Sequence, residues 1–115
     1  MSVDKRWQMR IEHILEAIGR IQRYTIGLTE DTFAAQSLVV DAVIRNFQVI
    51  GEAVRHIPDD VQRRYPEVPW SLMQGMRHIL VHDYYAVKLD ILWRTCQQSL
   101  PPLVEPLQKI LNENP

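Results

Sequence analysis

Cysteine is almost absent from this chain: Cys96 stands alone among 115 residues. An internal disulfide and a cysteine-based zinc site are therefore both excluded, and the usage fits a reducing compartment. Cys96 itself reads as a small buried residue inside a helix. Long apolar runs are missing too. None approaches the roughly 20 residues that a bilayer span requires, and "MSVDKRWQMRIEH" lacks the apolar stretch of a secretion signal. The expectation is a soluble, cytoplasmic protein without a membrane partner. Charge of one sign is not in excess, with 13 Lys and Arg against 14 Asp and Glu and a formal net charge of −1. With no global positive field, any contact with nucleic acid or an anionic surface must be local. No stretch alternates with period two for long enough to claim a sheet, and no internal repeat or low-complexity tract is present.

Helical periodicity is what the sequence does have. Trp7, Ile11, Ile14, Leu15, Ile18 and Ile21 recur at three- and four-residue steps, which predicts an amphipathic helix from Asp4 to Tyr24. Gly27 marks its stop, and Thr29 or Asp31 the N-cap of the next helix. Val39, Val43, Phe47, Ile50, Val54 and Ile57 then predict one long second helix between Thr32 and Ile57. Its other face carries Asp41, Arg45, Gln48, Glu52 and Arg55 at the same spacing. The proline-dense "IPDDVQRRYPEVPW" predicts a turn through a short helical piece and an extended link. A third helix is expected from Trp70 or Ser71 to about Val81, and a fourth from about Val87 to Ser99. After Pro101 and Pro102 a last helix restarts and runs to about Leu111, with the final "NENP" frayed. A chain of this length supports one core. The fold class expected is therefore all-α: a single domain over 1–115, an antiparallel bundle of four to five helices.

Arginine supplies ten of the thirteen basic residues. A planar guanidinium suits phosphate better than an ammonium does, although a compositional bias toward arginine gives the same count. The stretch "MRHILVHDYY", residues 76–85, sets Arg77 and His82 five positions apart around an apolar run. On an ideal helix that spacing is roughly 500° of rotation, leaving the two side chains about 140° apart and about 7.5 Å apart along the axis. They converge if the helix ends or tightens between them, or if two copies face each other across a dimer axis. His78 and His82 do share a face at i, i+4, but a metal needs a further ligand and only Asp83 is near, so no metal or cofactor is assigned. Histidine and arginine without a metal suit phosphoryl transfer within RNA. A neutral imidazole takes the proton of a ribose 2′-hydroxyl while a guanidinium stabilises charge gathering on the phosphate oxygens. DNA lacks that hydroxyl.

Three segments together resemble one family. "RHILVHDY", with Arg77, four residues, His82, one residue and Tyr84, resembles the signature of HEPN-domain ribonuclease toxins of the HepT type. "RNFQVIGEAV" from Arg45 to Val54 resembles that family's long second helix, and "YPEVPW" from Tyr65 to Trp70 resembles its link into the signature helix. Order and spacing of all three match. One departure is His78, where many relatives have asparagine after the signature arginine.

The resemblance implies a HEPN-like bundle acting as a metal-independent endoribonuclease, the toxin of a type VII-like toxin and antitoxin pair. Arg77 would clamp the phosphate and His82 would be the base, leaving a 2′,3′-cyclic phosphate by transesterification. The same resemblance implies a homodimer whose two signature segments line one cleft. It also implies a minimal nucleotidyltransferase partner, the antitoxin, which silences the toxin by AMPylation of Tyr84. A phenolic nucleophile fits that role, and an anionic adduct in the cleft would repel RNA phosphate. Arg45, Asn46 and Glu52 match the second-helix motif and, with His78 and Asp83, are accessory candidates. Against this, Asp41 with Arg45 and Glu52 with His56 are also ordinary i, i+4 pairs. Gly51 reads as a point of close helix approach, Tyr85 as packing, and His13 and His56 receive no role. The alternative is a non-catalytic HEPN dimer serving as a nucleotide-binding or scaffold subunit for the nucleotidyltransferase.

Overall fold

Helix α1 spans Arg6–Thr25 in the computed structural model, which describes residues 6–81 and 88–115. It buries one stripe, Trp7, Ile11, Ile14, Ala17, Ile18, Ile21 and Thr25, at the predicted spacing. The β-branched residues therefore sit where packing repays their lower helix preference. Thr25 closes the helix by donating its hydroxyl to the Ile21 carbonyl at 2.8 Å. Gly27 follows at φ 77°, a left-handed conformation that glycine adopts without a Cβ clash.

The long second helix expected from Thr32 to Ile57 is instead two elements, α2 (Glu30–Ala34) and α3 (Ser37–Val54). Thr29 and Thr32 form a reciprocal capping box that starts α2. Gln36, at φ −110° and ψ 88°, breaks the helix, and the turn lets Phe33 bury fully with its ring centroid 5.2 Å from that of Trp93. An uninterrupted helix would have carried Phe33 along a different line.

After α3 the chain turns at His56 and Ile57, then forms α4 (Asp59–Arg64) behind Pro58. In the following link Tyr65, Val68 and Trp70 alternate inward with Pro66, Glu67 and Pro69 outward. Trp70 donates its indole N–H to the Tyr65 carbonyl at 2.9 Å. Helix α5 (Trp70–Val81) begins directly after Pro69, whose carbonyl accepts from the Met73 amide at 3.0 Å.

Helix α6 (Leu89–Arg94) widens into a π-turn over Thr95–Ser99, where the Leu100 amide reaches back to the Thr95 carbonyl at 3.1 Å. Pro101 and Pro102 bring no amide hydrogens to continue an α-helical ladder. A 3₁₀ turn over Pro101–Leu103 then leads into α7 (Val104–Glu113). The frayed tail expected for "NENP" is not observed. Tyr65 donates its hydroxyl to Glu113 at 2.8 Å and accepts from the Asn114 side-chain amide at 2.9 Å, which holds the C-terminal turn.

Among the described residues there are no strands, and α3 lies between α1 and α5. Arg10 and His13, early in α1, share a groove with Glu52 and Ala53, late in α3, so these two helices run antiparallel. Gln8 likewise meets Asn114, which sets α7 antiparallel to α1. Ile11, Ile14, Val43, Ile50, Val54, Met73, Leu107 and Ile110 belong to one contiguous core. Each such side chain contributes about 1.5–3 kcal/mol by leaving water. The all-α bundle is thus five longer helical rods, α1, α3, α5, α6 with its π-turn, and α7, with α2 and α4 as short connectors among the described residues. Cys96 is buried in the π-turn, and burial pushes its thiol up to about 12. No helix among the described residues is long and apolar enough to cross a membrane.

Candidate functional site

Gly51 determines where Arg77 sits. A Cβ at position 51 would lie 2.7 Å from the Arg77 Cβ, 2.9 Å from the Arg77 backbone nitrogen and 3.1 Å from the Gln74 carbonyl oxygen. With only a hydrogen there, α5 settles directly on α3, closer than a side chain at the crossing would allow. The approach is backbone against backbone, so no rotamer change elsewhere would relieve a larger residue.

Glu52, the next residue on α3, meets the arginine that this crossing delivers. Its carboxylate is 3.6 Å from Arg77 Nε, accepts from Arg55 Nη1 at 3.2 Å on both oxygens, and lies 3.5 Å from His56 Nε2. Slight desolvation pushes the Glu52 carboxyl up, but the hydrogen bond and charge of Arg55, the charge of Arg77 and the bond to His56 together outweigh it. The group is held below the usual carboxylate range. Glu52 is therefore an anion at neutral pH, engaging the Nε edge of the Arg77 guanidinium. Arg77 is about a third exposed, in reach of both solvent and a ligand.

Around this pair lies an open groove of about 350 Å³, whose lining includes Arg10 and His13 from α1, Arg45, Gln48 and Glu52 from α3, and Arg77 from α5. Val49 and Ala53 supply its apolar lining. The set carries three guanidiniums against one carboxylate. A larger hollow of about 530 Å³, lined by Glu67, Pro102 and one side of α7 from Glu105 to Asn112, contains none of these residues. The groove at Arg77 is the one with phosphate-matching chemistry, so the smaller cavity is the candidate site.

Of the residues singled out in the sequence, Arg45, Glu52 and Arg77 come together here. Asn46 does not line the groove: it is buried, and its amide donates to the Ala42 carbonyl of its own helix at 2.8 Å. His78 falls within α5, while His82, Asp83, Tyr84 and Tyr85 lie outside the described residues. Arg10 and His13 were invisible as site residues. Their i, i+3 spacing on α1 puts them on one face, but only the antiparallel packing of α1 on α3 aims that face at Arg77. Among the described residues no three His, Cys, Asp or Glu side chains gather as a metal ion would need.

Residues 14–110 match the family described as "Ribonuclease HepT-like". The chain is 37% identical over 100 residues to a "Probable ribonuclease HepT" of Thermococcus cleftensis, covering 87% of this chain and 91% of that one. It is 38% identical over 103 residues to a protein of Methanocaldococcus jannaschii named "Gamma-glutamylcyclotransferase and putative RNase", covering 90% of this chain but only 46% of that longer relative. A "Putative RNase" of Caldanaerobacter subterraneus is 30% identical over 103 residues, covering 90% and 92%. No solved structure matches.

Proposed function

The chain belongs to the HepT-like ribonuclease family, and from that premise we propose that it is an endoribonuclease, the toxin of a type VII-like toxin and antitoxin pair. In this reading His82 takes the proton from a ribose 2′-hydroxyl, the freed oxygen attacks the adjacent phosphorus, and the 5′-oxygen of the next nucleotide leaves. The products are a 2′,3′-cyclic phosphate and a new 5′-hydroxyl end. Arg77 stabilises the charge that gathers on the non-bridging oxygens, an effect worth about 2.7–4 kcal/mol of the barrier for one well-placed donor. No metal is required by these steps. A homodimer brings two signature segments to one cleft, which resolves the angular separation of Arg77 and His82 within one helix. A minimal nucleotidyltransferase antitoxin silences the enzyme by transferring AMP to the Tyr84 phenol.

The observation that carries this reading is the seating of Arg77. Gly51 brings its backbone against α3, Glu52 engages its Nε edge, and the groove in front of it is locally cationic in a chain of net charge −1. A guanidinium so oriented is pre-organised for phosphate, because little side-chain freedom remains to be lost on binding. A plain scaffold has no need of that arrangement beside an intact Arg77, His82 and Tyr84 set.

The test is incubation of the purified protein with mixed cellular RNA in excess EDTA, beside His82→Ala, after intact mass has established that Tyr84 is unmodified. Cyclic phosphate ends that disappear in the variant are the expected result. Absence of cleavage by unmodified, dimeric protein across varied RNAs would move the weight to the scaffold reading.

A further inference from the structure

We infer that Arg10 and His13 of α1, together with Arg45 of α3, form a second phosphate subsite that holds RNA beside the bond placed at Arg77. The inference rests on the ribonuclease reading above and adds to it a backbone-binding surface outside the signature segment. Three observations support it. Arg10, His13 and Arg45 line the same groove as Arg77, on the two antiparallel helices that form its wall. The one carboxylate in the groove is already engaged by Arg55, His56 and Arg77, whereas neither Arg10 nor Arg45 is ion-paired to any described carboxylate. Among the described residues, the groove guanidiniums without a carboxylate within 4.0 Å are therefore those of Arg10 on α1 and Arg45 on α3, and not that of Arg77.

The geometry favours a phosphodiester strand over a single small anion. The groove is open and about 350 Å³, at the low end of the roughly 300–1,000 Å³ of small-molecule pockets but not enclosed as those are. Each of the three helices that line it brings a guanidinium, Arg10 from α1, Arg45 from α3 and Arg77 from α5, and grooves that track a single strand are likewise lined by several positive charges. Arginine at two of the positions supplies paired donors matched to phosphate oxygens. Because this subsite grips the substrate both before and during reaction, it lowers KM and leaves kcat nearly unchanged, whereas Arg77 acts on the transition state.

The test compares wild type, the double variant Arg10→Gln with Arg45→Gln, and a charge-matched control, Arg63→Gln with Arg64→Gln, on the exposed side of α4. Binding of a fluorescent 2′-O-methyl RNA, which lacks the attacking hydroxyl, is followed by anisotropy across a salt series. Cleavage of the matching unmodified RNA is followed in parallel. The expected result for the groove variant is affinity lower by about tenfold or more, with a log–log salt slope shallower by roughly 0.7 for each phosphate no longer neutralised. KM should rise with kcat within about twofold, and the α4 control should match wild type. Equal affinity and slope in the groove variant and the control would overturn the subsite while leaving the ribonuclease reading intact. Failure of wild type to cleave any RNA would overturn that reading and the subsite with it. Arg45, Arg63 and Arg64 are exposed and Arg10 is half-buried, and a thermal midpoint equal to wild type makes an affinity loss attributable to charge.

Discussion

Along α3, Val43, Phe47, Ile50 and Val54 are sealed into the core, whereas Arg45, Gln48 and Glu52 on the same helix stand at the groove. The buried face is held by many interchangeable contacts, each non-directional. The groove face depends on a few placements: one missing Cβ at Gly51, one carboxylate at Glu52, and the guanidinium that both of them position. Stability and proposed chemistry are thus carried by opposite sides of one element, and they should separate under mutation.

Phe47→Ala attacks the buried side and has the largest expected effect on stability. It should cost about 3–5 kcal/mol in urea unfolding, with cleavage falling only in step with the folded fraction. Gly51→Ala tests the seam between the two faces. Alanine normally favours a helix over glycine by about 1 kcal/mol, but here its methyl would meet the Arg77 backbone, so a net loss of about 1–3 kcal/mol is expected. Because α5 must move away, RNA cleavage should drop by more than the stability change explains, by roughly tenfold to a hundredfold. A stabilised and fully active Gly51→Ala protein would break the comparison.

Tyr65→Phe probes a contact outside the groove lining, where the hydroxyl joins Glu113 and Asn114. A loss of about 1 kcal/mol without change in cleavage is expected. Glu52→Gln is the mirror case, since its partners are exposed and its effect on stability should stay below about 1 kcal/mol. Its pH signature has a definite sign. The folded carboxyl is held below its ordinary value of 4.5, so its contribution is present above that pH and is lost as pH falls through the lowered folded value. The urea midpoints of wild type and Glu52→Gln should therefore differ at pH 7 and converge in strong acid. Cleavage at neutral pH should fall in the variant, since Arg77 loses the anion at its Nε edge.

The apolar stripes were legible because a period of 3.6 reports directly which face is buried: α1 lies close to where that period places it, α3 falls inside the longer helix expected, and α5 begins directly after Pro69 as the link implied. The break at Gln36 was not, since the stripe continues across it and only the docking of Phe33 on Trp93 reveals the turn. The ordered C-terminus was hidden for a similar reason: Tyr65 reaches Asn114 across 49 residues of chain. At the site, Arg45, Glu52 and Arg77 could be picked out because they stand in the segments that resemble the family's second helix and signature. Asn46 carried the same signal, yet its amide turns back to Ala42 inside the helix. Arg10 and His13 had no signal in one dimension because the pairing of α1 with α3 is what gives them a neighbour.

The most direct test of the central claim is single-turnover cleavage of one RNA by wild type and Arg77→Ala, alongside the urea midpoint of each. The account predicts a rate lower by at least about a hundredfold in the variant, with a midpoint close to that of wild type because this side chain is partly exposed and outside the core. An unchanged rate, or a rate reduced only in proportion to a lost fold, would contradict the assignment of the chemistry to the groove face.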